Sequence, residues 1–171
     1  MDSLIVIGFD GFAKAIIDSA MGVNHFESII ILNYEKIGLL FADSKIADTT
    51  DKLQDYFDQG YHSTCIIVDP STNTSPDVTI DDGTYIGEGC AVGPCATVGK
   101  NSILDTGVIM QSRCSVGNLS RVCTGGENSY NAQMGDLCYV GVGSIVTENS
   151  QIPDNTRVED ASVYGKQPFE Q

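Results

Sequence analysis

Six cysteines, two histidines and one glycine-punctuated loop are the features of this 171-residue chain that first invite chemistry. A metal site built from Cys65, Cys90, Cys95, Cys114, Cys123 and Cys138 would want close pairs such as CxxC, with histidines beside them. There is no such pair, and His25 and His62 lie far from most of the cysteines, so no metal is assigned. A disulfide framework needs an oxidising compartment. The opening "MDSLIVIGFD" has no basic residues before its short apolar run, so no leader is expected and the chain is read as cytoplasmic with reduced thiols. In "IGFDGFAKA", Gly8 and Gly11 stand where a phosphate-binding turn opens a helix. Asp10 stands among the same N–H groups, where its carboxylate would repel a diphosphate.

Charge narrows the partners. With 23 acidic against 9 basic residues and a formal charge of -14, the chain disfavours nucleic acid and anionic membrane. No run approaches the roughly 20 apolar residues of a membrane span.

Two kinds of element must position these groups. Residues 1–64 read as a small α/β domain: "SLIVIG" and "SIIILN" are strands, and "FAKAIIDSAM" between them has helical spacing at Phe12, Ile16 and Ala20. A second helix is expected over "TTDKLQDYFDQG", capped by Thr50 and ended by Gly60. Residues 65–77 read as a strand, "STCIIVDP", and a turn-rich linker, "STNTSPD".

From residue 78 to 164 an internal period of six takes over. Steps of six from Ile80 to Val158 land on an apolar residue every time except at Asn128, which is read as a hydrogen-bonded core amide. The residue two before each is small or β-branched, which gives Cys90, Cys114 and Cys138 a packing role. Three such units close a triangular turn, turns stack about 4.8 Å apart, and apolar residues one turn apart form columns such as Ile80, Val98, Val116, Met134 and Ile152. The glycines directly after the apolar position, among them Gly87, Gly93, Gly99 and Gly141, are expected to supply the unusual φ angles of the corners.

The repeat resembles the left-handed parallel β-helix of hexapeptide-repeat acyltransferases. With its N-terminal α/β domain, the chain resembles the branch of sugar O- and N-acetyltransferases that act on sialic acid or on nucleotide-linked amino sugars of the bacillosamine type. The resemblance implies a Rossmann-like N-terminal domain, a β-helix of about five turns, a 165–171 tail, and a trimer with acetyl-CoA in the groove between subunits. It implies no covalently bound cofactor. It implies acetyl transfer in which a histidine takes the proton, an acidic neighbour orients it, and a backbone N–H stabilises the oxyanion.

The resemblance places that histidine at Ser112 and its acidic neighbour at Arg113, in "DTGVIMQSRCSVGN". Neither replacement is a base near neutral pH. Asp105 is the best candidate substitute base, ahead of Glu127 and Glu148, although an exposed, solvated corner carboxylate is the simpler reading. Arg113 and Arg121 would grip CoA phosphates or pair with a neighbouring chain. Tyr130 falls where relatives have a glycine supplying the oxyanion N–H, and with Gly141, Gly165 and Pro168 it would border the cofactor. Gly8, Asp10, Gly11 and Asn33 would face the nucleotide-linked sugar. Two functions stay open: a catalytically degenerate, ancillary subunit supporting a companion acetyltransferase in surface-glycan synthesis, by self-association or mixed assembly, which the altered positions favour; and an active N-acetyltransferase working without histidine. A metal-dependent hydratase is set aside, because the repeat contains no histidine.

Overall fold

The computed structural model describes residues 2–7, 11–22, 26–32, 40–41, 44–48, 55 and 66–165. The chain opens with β1 (Asp2–Ile7), α1 (Gly11–Gly22) and β2 (Phe26–Leu32), and β1 and β2 pair in parallel across the helix. Two strands absent from the sequence reading follow: β3 (Leu40–Phe41), antiparallel to β4 (Ser44–Asp48), which itself runs parallel to β2. The second helix expected around residues 50–60 lies, except for helical Asp55, outside the described residues. Helix α1 buries Ala13, Ile17 and Ala20, spaced four and three residues apart on one face, while Ile16 is only half-buried.

Beyond residue 66 the architecture is a parallel β-solenoid. Seventeen two-residue strands, β5 (Ile67–Val68) to β21 (Val163–Tyr164), recur every six residues and stack into three sheets of five, six and six strands. Each of the first fourteen pairs with the strand 18 residues on, as Ile80 does with Val98 and Val98 with Val116. The segment read as strand and linker carries the first two solenoid strands, since Ile67 pairs with Tyr85 and Asn73 with Ala91. Inward residues from Ile86 to Val158 form one continuous apolar core. The small residues beside them are also rungs of a hydrogen-bond ladder: Thr84 Oγ1, Ser102 Oγ, Ser120 Oγ and Cys138 Sγ each donate to the carbonyl 15 residues on, at 2.7–3.0 Å. Cys90 does the same to the Asp105 carbonyl.

Two expectations need correction. Asn128 is completely buried, but neither its Oδ1 nor its Nδ2 has a hydrogen-bond partner. Its column neighbours are Met110 and Val146, which offer nothing polar. The corner φ angles also belong to a different position. Positive φ recurs every six residues from Gly83 to Ala161, at five glycines, at Asn101, Asn131, Asn149 and Asn155, and at Cys95, Arg113, Leu119, Leu137 and Ala161. The glycines after the apolar residue serve close approach instead: a Cβ at Gly141 would lie 2.5 Å from the Asp160 nitrogen of the next turn.

The helix docks on the first turn of the solenoid. Ser19 Oγ donates to Asp69 Oδ2 at 2.8 Å, and the Ser71 amide and hydroxyl donate to Asp69 Oδ1 at 2.9 and 2.6 Å. Burial opposes the Asp69 charge, but these bonds outweigh it and hold the carboxyl below its ordinary value. Among the described residues no helix is long and apolar enough to cross a membrane.

Candidate functional site

The three edges of the prism provide the frame. The first corner comprises residues 81–83, 99–101, 117–119, 135–137 and 153–155; the second 87–89, 105–107, 123–125, 141–143 and 159–161; the third 93–95, 111–113, 129–131 and 147–149. Ser112, Arg113 and Tyr130 come together at the third corner, one turn apart, with the Asn131 amide donating to the Ser112 carbonyl at 3.1 Å. Buried Met110 anchors one side of the Ser112 turn and buried Cys114 the other. Burial pushes the Cys114 thiol up to about 12, so it is a neutral packing group. Arg113 occupies the left-handed corner conformation with φ 62° and an exposed side chain.

Gln111 organises this corner. Its Nε2 donates to Glu127 Oε1 at 2.6 Å, and its Oε1 accepts the Tyr130 N–H at 3.2 Å. Ser129 Oγ donates to the same Glu127 oxygen at 3.3 Å. A carboxylate, a carboxamide and a backbone amide thus form one chain across two turns, beside a serine that has no imidazole near it among the described residues.

Asp105 does not join them. It lies on the second corner, 8% exposed, and its Oδ2 accepts Arg121 Nε at 3.0 Å and Nη2 at 2.8 Å. The expectation of an exposed, solvated corner carboxylate therefore gives way to an ion pair buried on its acidic side. Arg121 is likewise engaged within the chain, and Arg157 stacks over the Tyr139 ring at 4.2 Å on the same sheet. Gly141 is on the second corner as well. Gly165 stands at the end of the third corner with φ 110°, where a Cβ would strike the Thr147 and Ser150 hydroxyls, so the fold by itself requires glycine there. Gly11 begins α1, while Gly8, Asp10, Asn33 and Pro168 lie outside the described residues. No group of three or more metal-binding side chains occurs among the described residues.

The sequence reading missed Gln111. Its signal is a spacing: a residue just after an inward position faces the outward residue 16 further on, as in Gln111 with Glu127 and Asp105 with Arg121.

The acetyltransferase domain of PglB from Neisseria gonorrhoeae superposes with a TM-score of 0.86 at 16% identity, over 96% of this chain and 92% of that one. The chain shares the fold of that acetyltransferase domain. The left-handed parallel β-helix expected from the resemblance is the solenoid the two have in common. PerB from Caulobacter crescentus, in complex with CoA and GDP-perosamine, matches with a TM-score of 0.59 at 17% identity, over 96% of this chain and 92% of that one. A histidine-to-alanine variant of that organism's GDP-perosamine N-acetyltransferase, also in complex with CoA and GDP-perosamine, matches with a TM-score of 0.60 at 17% identity, over 95% of this chain and 92% of that one. Among curated proteins, bifunctional GlmU of Heliobacterium modesticaldum is 28% identical over 112 residues, which is 60% of this chain and 24% of that protein. The chain thus spans about a quarter of this curated relative. No family model matches the chain.

Proposed function

We propose that the chain is a catalytically degenerate relative of nucleotide-sugar N-acetyltransferases, acting as an ancillary subunit that supports a companion acetyltransferase in surface-glycan synthesis. Acetyl transfer has an amine attack the thioester carbon, a base remove its proton, an N–H hold the oxyanion, and the CoA thiolate leave. The observation that carries the reading is the third corner, where Ser112 and Arg113 offer no base and the Tyr130 amide is already hydrogen-bonded to Gln111. Loss of a general base costs roughly 10²- to 10⁴-fold in rate.

In this reading the N-terminal β-α-β unit is the Rossmann-like domain that receives a nucleotide-linked amino sugar. The solenoid supplies the shape for a trimer or a mixed assembly, with acetyl-CoA in the groove between neighbours. The protein works in the cytoplasm.

A second reading, an active N-acetyltransferase without histidine, is favoured by one observation: the Glu127 carboxylate sits at the same corner. An amine with a pKa of about 8 is substantially neutral in mild alkali and needs little help from a base. Thiol release from acetyl-CoA with a panel of nucleotide-linked amino sugars separates the readings: none supports the ancillary subunit, and turnover supports the enzyme.

A further inference from the structure

On the first corner Lys100, Asn118 and Asp136, each two residues after an inward position, donate their N–H to the side chain 18 residues on, at Asn118, Asp136 and Asp154, over 2.7–2.8 Å. On the second corner Val142 alone has an Asp in that place and donates to Asp160 Oδ1 at 3.0 Å. The third corner has no Asn or Asp in that place. The counterparts there are Pro94, Ser112, Tyr130 and Glu148, so the residue 18 beyond Ser112 is a tyrosine and no Asn or Asp follows Tyr130. The Tyr130 N–H goes backward to Gln111 instead, across a bond made by an exposed, flexible carboxamide that Glu127 steers.

We infer that Gln111 is an autoinhibitory latch: it occupies the Tyr130 N–H and so withholds it from the carbonyl oxygen of a thioester acyl group. This rests on the proposal that the third corner borders an acetyl-CoA groove, and it assigns the regulation of that site. An Asn or Asp 18 residues on would seal the amide within the regular ladder, as at Asp136. The Gln111 side chain can rotate away into solvent. Glu127 holds the latch shut by fixing the carboxamide's orientation, with its nitrogen on the carboxylate and its oxygen on the amide. Gln111 is therefore a positioning residue for the donor.

The test compares acetyl-CoA with CoA, which lacks the acetyl group and with it the carbonyl oxygen. Calorimetry on the full chain should give Gln111→Ala a severalfold rise in acetyl-CoA affinity with CoA affinity unchanged. Glu127→Ala, which leaves Gln111 in place, should give a smaller rise in the same ratio. The Tyr130 amide should exchange its hydrogen severalfold faster in both variants. An unchanged acetyl-CoA to CoA ratio overturns the latch even if exchange accelerates, and so does absence of binding by wild type and both variants. Thiol release by the wild type, followed in the same samples with an amino-sugar acceptor, would sink the degenerate-subunit reading while leaving the latch to be judged by the ratio.

Discussion

The first and third corners are cut from the same hexad and are opposite in character. On the first, Asn118, Asp136 and Asp154 reach from turn to turn and seal backbone amides in a ladder with an 18-residue step. On the third, the ladder positions are Pro94, Ser112, Tyr130 and Glu148, and a single carboxamide improvises one of the missing bonds. The first corner spends its polar groups on stability, whereas the third leaves Gln111, Tyr130 and Asn131 exposed. A fold that repeats itself so regularly makes such a departure legible as a site.

The largest expected effect sharpens that contrast through chemistry. Restoring the base dyad with Ser112→His and Arg113→Glu, together with Gln111→Ala, should raise thiol release over the wild type by roughly 10²-fold or more, read with a thiol reagent. No gain would place the lost function elsewhere than this corner.

Next come changes in stability, measured by urea unfolding. Asp136→Ala removes the acceptor of the Asn118 amide and should cost about 1–2 kcal/mol. Gln111→Ala, on the open corner, should cost at most about 0.5 kcal/mol. Equal costs would erase the distinction between the corners. In the bore, Asn128→Val removes a buried amide with no partner and should stabilise the fold by about 1–2 kcal/mol.

The smallest effect concerns the junction with α1. Because Asp69 titrates below its ordinary value of 3.8, its contribution is fully present above that pH and is lost as the pH falls through the lower folded value. NMR signals of Ala20 should therefore be constant above about pH 5 and move only in stronger acid. A change centred near neutrality would assign the docking to another group.

Much of the solenoid was legible because its bore forces one apolar residue into every hexad, and Ile80 or Val98 can serve nowhere else. The corners were harder, since glycine answers two different demands. Gly141 is needed for close approach and Gly83 for positive φ, and composition alone does not separate them. Ser112 and Arg113 stood out only against an expected histidine and acid. Gln111 and the Asp105–Arg121 pair were hidden because contacts between turns follow a spacing of 16, which a search by sixes steps over. The isolation of Asn128 depends on what its column neighbours lack, which no local pattern reports.

The most direct measurement of the central claim is thiol release by the wild-type protein with acetyl-CoA and nucleotide-linked amino sugars, in mild alkali where the amine is neutral. The account predicts release no faster than the reaction without protein, from a folded and oligomeric sample. Steady turnover would contradict it and would make the chain an enzyme whose base is not at residue 112.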